Sequence, residues 1–181
     1  MSRTQGAHLG NKVLYNKEHW EIHQGKSFTS VVNETLGAAA VLELAFKTPE
    51  NGEIHVVPSF QVKIDGHLDV MRGCTWSGNL HSGLEAPIHN RNHKKNTDSL
   101  LTVNLSQAGF VATGYLMTDL TGLNGTIVDT EYIFEGKFDH TSENRGKHEY
   151  VLQTGEQYCF RLTSNSASNS GQLRLDWYEE S

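Results

Sequence analysis

In residues 156–162 and again in 171–177 the large apolar residues fall on every second position, and that alternation commits both stretches to β-structure. In Glu156-Gln157-Tyr158-Cys159-Phe160-Arg161-Leu162, the side chains of Tyr158, Phe160 and Leu162 point one way and those of Gln157, Cys159 and Arg161 the other. Successive residues of a strand face opposite sides of a sheet, so one row packs and the other meets water. Residues 171–178 repeat the pattern, with Leu173, Leu175 and Trp177 set against Arg174, Asp176 and Tyr178. The polar run 163–171 between them suits a solvated loop. This is a packing surface, and no catalytic set lies within it.

A chain of 181 residues is long enough for one well-cored domain and short for two. Its apolar content of 36%, with 17 glycines added, sits at the low edge of the globular range and implies much exposed polar surface. A net charge of −6 disfavours a sequence-independent grip on DNA or RNA. The one basic knot, Arg91-Asn92-His93-Lys94-Lys95, suits a solvated loop or a contact to an acidic protein patch. No apolar run approaches the roughly 18 residues of a membrane span, and the first residues lack the apolar core of a signal peptide. Cytoplasmic synthesis is therefore expected, with Cys74 and Cys159 as buried free thiols rather than a disulfide.

Along the chain, residues 1–18 are polar and aperiodic and suit an extended N-terminal arm, leaving 19–181 as a single domain. Residues 22–31 suit a short hairpin broken at Gly25. Residues 37–46 are ambiguous: the alanine run favours helix, but Leu42, Leu44 and Phe46 alternate with Glu43 and Ala45, which favours a strand. Asn51-Gly52 and Asp65-Gly66 are strong hairpin signals, because type I′ turns need positive φ at both central positions. They predict a three-stranded meander centred on 54–64, with Pro58 at a bend or edge. The stretch 78–98 is a long polar connection, and strand signals resume at 100–105, 110–117, 131–138 and 147–153. Many short strands and no long helix predict an all-β antiparallel β-sandwich or jelly roll with long loops.

Signals for chemistry are weak. Gly25-Lys26-Ser27 has the tail of a phosphate-binding loop, but Trp20 stands where its leading glycine belongs. His148-Glu149 begins a zinc-protease motif that Leu152 fails to complete. Among the ten histidines, His81, His89 and His93 share a loop with Glu85, and His19 and His23 flank Trp20-Glu21-Ile22. Imidazoles with a carboxylate suit a divalent metal, yet a jelly-roll metal site wants inward ligands on neighbouring strands. These histidines are assigned to surface or interface positions instead. Glu131, Glu135 and Asp139 are acidic strand residues of the kind a glycosidase pair would use, but they fit an ordinary solvent side. Trp20, Trp76 and Tyr178 could stack sugars as in a carbohydrate-binding module, against the plainer reading of core or half-buried filling. The expectation is thus no catalytic residue, no cofactor site and no metal site.

Short blocks in a fixed order carry a resemblance. Glu21-Ile22-His23-Gln24-Gly25-Lys26-Ser27-Phe28 is similar to the His-x-Gly-x-x-Phe segment that opens a group of tailed-phage virion proteins. Phe46-Lys47-Thr48-Pro49 resembles the strand-to-turn that follows it, and Asn90-Arg91-Asn92-His93 resembles their Asn-Arg-Asn-Arg loop, with His93 in place of the second arginine. Glu149-Tyr150-Val151-Leu152, residues 158–165 and Asp176-Trp177-Tyr178 resemble their closing strands. The chain thereby resembles capsid decoration, or cement, proteins across roughly 22–178. The resemblance implies a jelly-roll or β-sandwich subunit on the outer surface of a capsid, without catalytic residues. Its partners would be the major capsid protein and further copies of itself, as a homodimer or homotrimer, and neither nucleic acid nor membrane. Loop 78–98 and the arm would carry the lattice contacts. A tail or fibre component, a carbohydrate-binding module with a host-surface glycan, and a small hydrolase or cupin-like metal enzyme are the rival readings.

Overall fold

The structure is a computed structural model that describes residues 7–8, 11–12, 17–77, 85–95, 97–104, 111–113, 115–118, 120–133 and 149–180. Two very short strands, β1 (Ala7–His8) and β2 (Asn11–Lys12), pair with each other. Helix α1 (Lys17–Gln24) takes up the last two residues of the expected arm. It also replaces the first half of the hairpin expected at 22–31. The helix ends in a Schellman motif: Gly25 sits at φ +77, its N–H bonds the Ile22 carbonyl, and the Lys26 N–H bonds the Glu21 carbonyl. The broken alternation at Gly25 was thus a helix stop, and Gly25-Lys26-Ser27 leads out of a helix, the reverse of a phosphate loop.

Eight framework strands follow in order: β3 (Ser27–Leu36), β4 (Val41–Lys47), β5 (Glu53–Val62), β6 (Gly66–Ser77), β12 (Thr121–Ile133), β13 (Tyr150–Leu152), β14 (Gln157–Ser164) and β15 (Asn169–Glu180). They form two antiparallel sheets, with β13-β5-β15-β3 in one and β4-β14-β6-β12 in the other. Alternate crossing between two sheets in this order is the double Greek key of a jelly roll. The insertion between β6 and β12 supplies β7 (Glu85–Pro87), β8 (His89–Asn90), β9 (Thr102–Asn104), β10 (Val111–Thr113) and β11 (Tyr115–Met117). Strand β8 extends the first sheet beyond β3, while β9 and β11 pair with β4.

The expected meander over 54–64 does not form. Strand β5 lies in one sheet and its neighbours β4 and β6 in the other, so Asn51-Gly52 and Asp65-Gly66 turn arches over the core, not hairpins. Turn chemistry sets the reversal of the chain; it does not say whether the next strand pairs or crosses. The same holds for the two C-terminal strands. Tyr158, Phe160 and Leu162 of β14 face Leu173, Leu175 and Trp177 of β15 across the core, and all six are buried. Phe28, Leu44, Phe46, Ile54, Val56 and Phe60 complete the layer between the sheets. Residues 37–40 make the turn before β4, with Ala39 at φ 59, so the strand reading of the ambiguous segment holds from Val41 onward.

The run 163–171 is solvated at its tip, where Asn165, Ala167 and Ser168 are exposed, but its two ends belong to β14 and β15. Ser164 and Asn169 are buried, and the Asn169 side chain accepts from the Ile64 N–H at 3.0 Å and donates to the Asp65 carbonyl at 2.9 Å. Ser166 Oγ donates to the Asp65 carboxylate at 2.5 Å. A polar arch is here stitched to the 63–66 turn because buried polar groups must find partners. Cys74 and Cys159 are buried free thiols, as expected, and they are neighbours joined by a backbone hydrogen bond from Cys159. Burial pushes the Cys74 thiol up to about 11 and the Cys159 thiol well up.

Candidate functional site

Period-two geometry and antiparallel register gather one polar cluster on the outer face of the five-stranded sheet. Ile54 and Val56 of β5 point into the core, so Glu53 and His55 point out. Strand β15 pairs Tyr178 with His55 and Glu180 with Glu53, and β13 pairs Val151 with His55 on the other side. Glu149, two residues before Val151, therefore reaches the same face. The Tyr178 ring stacks on the His55 imidazole with centroids 4.6 Å apart and planes at 12°. The Glu149 carboxylate accepts from His55 Nδ1 at 2.8 Å and from the Tyr178 hydroxyl.

That leaves the other ring nitrogen. His55 Nε2 is buried, has no hydrogen-bond partner among the described residues, and lies 3.5 Å from Glu53 Oε2 and 3.4 Å from Glu180 Oε1. His55 is only 8% exposed, whereas the Glu53 side chain is open to solvent. The cluster is one imidazole ringed by three carboxylates.

At the opposite end of the same outer face lies a groove of about 730 Å³ lined by Asn33, Thr35, Gln61, Lys63, Ser170 and Gln172 among others. Among the described residues no aromatic side chain lines it. The residues considered for sugar stacking are not brought together: Tyr178 is buried on His55, Trp76 packs partly buried against the core, and Trp20 stands exposed on α1.

The remaining singled-out residues disperse too. Helix α1 places His19 and His23 one turn apart with their Nε2 atoms 3.1 Å apart, both exposed. His89 is exposed on β8 and His93 is exposed in the turn after it, and these do not join the α1 pair. Glu85 is on β7, and Glu131 is half-buried on β12. His81, Glu135, Asp139 and His148 lie outside the described residues, as do residues 78–84 and 134–138 of the expected loop and strand.

The basic knot has a structural job at its start. Asn90 Nδ2 donates to the Gly25 carbonyl at 2.8 Å and the Thr97 carbonyl at 3.0 Å, and Asn92 Nδ2 donates to the His23 carbonyl at 3.2 Å. The Arg91 N–H donates to the Ser27 carbonyl at 2.9 Å and its guanidinium to Ser27 Oγ at 3.2 Å. Residues 90–92 and Thr97 are thereby clamped across the α1–β3 junction, so this part of the 78–98 connection is docked on the body. His93, Lys94 and Lys95 remain exposed beyond the clamp.

The two lateral sides of the sandwich differ. On the β3/β4 side, β8, β9 and β11 add to the framework edges. On the other, β12 pairs with β6 and β13 with β5, and no described strand covers either outer edge. The Tyr150 hydroxyl on β13 donates to the Asp129 carboxylate on β12 at 2.5 Å, tying the two edges together. Burial and that carboxylate push the Tyr150 hydroxyl well up. Ile127, Val128 and Tyr132 of β12 and Val151 of β13 are each more than half exposed there.

Comparison with family models, with curated proteins and with solved structures returns no match to this chain.

Proposed function

We propose that the chain is a non-enzymatic structural protein of a tailed-phage virion, a decoration protein that binds the outer surface of the major capsid protein lattice. In this reading it is made in the host cytoplasm, reaches the virion as a homodimer or homotrimer, and stabilises the head. The observation that carries it is the exposed apolar group on a sandwich edge that no described strand pairs: Ile127, Val128, Tyr132 and Val151. An open strand edge offers backbone donors and acceptors to another chain, and apolar side chains on it add area to bury. On the β3/β4 side the insertion strands cover the ends of the framework edges, at Phe28 and Thr29 of β3 and at Ala45 and Lys47 of β4, and the exposed apolar residues there, Val31 and Leu100, are each less than half exposed.

Two further features support the reading. Some of the blocks that carry the resemblance are spatial partners: residues 23–28 meet 90–92 through the asparagine clamp, and Phe46 pairs with Tyr158. The acidic balance keeps the subunit from competing for packaged DNA. Many weak sites on one lattice then act at high effective concentration.

The test is co-sedimentation of purified protein with expanded, undecorated phage heads, imaged by electron microscopy. Regular density at fixed lattice positions, with the β12 edge at the contact, is the expected result. Absence of binding overturns the proposal, and saturable binding on a glycan array would turn attention to the polar groove.

A further inference from the structure

We propose that Glu53, His55 and Glu180 form a binding site for one divalent transition-metal ion, Zn²⁺ in particular, with Glu149 as the group that orients the imidazole. The three residues offer ligand atoms that all lie within 4.8 Å of one another. A tetrahedral ion with bonds of about 2.1 Å spaces its ligands about 3.4 Å apart. The two Nε2–carboxylate separations are 3.5 Å and 3.4 Å.

Carboxylates gathered on a surface prove little; the imidazole makes the difference. His55 is 8% exposed, and its buried Nε2 points between two carboxylates without a hydrogen bond to either. Donation of Nδ1–H to Glu149 turns the Nε2 lone pair toward those oxygens. Two carboxylates and a ring nitrogen facing one another repel unless a proton or a metal ion sits among them, and the 3.5 Å and 3.4 Å separations without a hydrogen bond leave room for the larger ion. The Glu149–His55 bond also has the form of the carboxylate–imidazole pairs that fix the tautomer and raise the basicity of metal-bound histidines. Stacked Tyr178, itself bonded to Glu149, removes the ring's freedom to turn away.

The donor set selects the metal. Imidazole with carboxylates suits zinc and its neighbours, while magnesium and calcium prefer all-oxygen shells. With three protein ligands, the fourth position goes to water on the exposed side by Glu53. The ion would join β5 to β15 directly and β13 through Glu149, fastening three strands at one end of the sheet.

The experiment uses the full chain, stripped with a chelator, and titrates Zn²⁺ by calorimetry with Mg²⁺ as comparison. One equivalent of Zn²⁺ and no Mg²⁺ is expected. At a hundredfold excess over Kd, the Tm should rise by roughly 5–10 °C. His55→Ala and the double change Glu53→Gln with Glu180→Gln should each weaken binding at least tenfold, and Glu149→Gln by roughly 10–100-fold. Replacing both His19 and His23 on α1 by Ala should leave that equivalent in place. Long-range ¹H–¹⁵N spectra of the unmutated chain should show Zn²⁺ shifting His55 Nε2, a readout that no folding defect in a variant can mimic. No saturable binding, equal binding by His55→Ala, loss of the equivalent with the α1 pair, or a His55 ring protonated at both nitrogens with Zn²⁺ present would overturn the site.

Discussion

Glu179 shows how one buried carboxylate can hold a segment and respond to pH. It accepts from Ser99 Oγ at 2.5 Å, from the Leu100 N–H at 3.0 Å and from Trp177 Nε1 at 3.1 Å, anchoring the chain after the asparagine clamp to the end of the core. Burial raises its pKa from the ordinary 4.5, against those hydrogen bonds. Below 4.5 the carboxyl is protonated in folded and unfolded chains alike. As pH rises past that value the unfolded chain releases its proton first, so the folded state holds more protons and stability falls until the raised folded value is passed. The stability of the unmutated chain minus that of Glu179→Gln should therefore shrink as pH rises from 4.5 toward neutrality, read by urea unfolding at each pH. A difference that does not change with pH would detach Glu179 from this linkage. Thr48 gives a second single-residue test. Its hydroxyl donates to the Gln153 carbonyl at 2.7 Å and accepts from the Glu156 N–H at 3.0 Å. Thr48→Val keeps the shape and strands both backbone groups, and should cost about 1–3 kcal/mol by denaturant unfolding.

At the scale of elements, the polar arches hold as much information as the strands. Asn169→Ala removes the bonds to Ile64, Asp65 and Ser164 at once, leaves the part-buried Ile64 N–H without this acceptor, and should cost about 1–3 kcal/mol by thermal unfolding. Gly25→Ala forces a side chain onto φ +77 and to 2.7 Å from Lys95 Cβ, so it should loosen the asparagine clamp as well as the helix stop. Faster amide exchange at Arg91, whose N–H bonds Ser27, is the readout. These arches also mark where sequence reasoning reached its limit. Alternation in Tyr158-Cys159-Phe160 and in Leu173-Arg174-Leu175 was enough to give strands, faces and the all-β class, because a period of two is a local property. Whether adjacent strands pair or cross is decided by distant partners, so a hairpin and an arch look alike at Asp65-Gly66. The candidate site divides in the same way. Glu53-Ile54-His55 already sets a carboxylate and an imidazole on one face, but nothing local brings Glu180 and Glu149 beside them. The helix at 17–24 was hidden because its polar faces carry no clear apolar stripe.

For the whole molecule, the difference between the two sides of the sandwich leads to a separable prediction. Ile127→Asp combined with Tyr132→Ser changes exposed residues only. The Tm should stay within about 2 °C of the unmutated protein, while under the proposed decoration role co-sedimentation with phage heads or self-association by sedimentation velocity should fall at least tenfold. A loss of stability without a change in binding would assign these residues to the fold instead. The placement of β15 has a consequence for how the molecule is born. Residues 169–180 lie between β3 and β5, along nearly the whole length of both. A ribosome that has not yet released them holds a chain in which β3 and β5 have no common partner and the inner side of the core has no Leu173, Leu175 or Trp177 to close on. Such pairing joins the two ends of the described chain, and contacts so distant in sequence form late and slowly. The first sheet is therefore expected to close only once β15 is free to lie between β3 and β5, and until then their facing edges stay open to other chains.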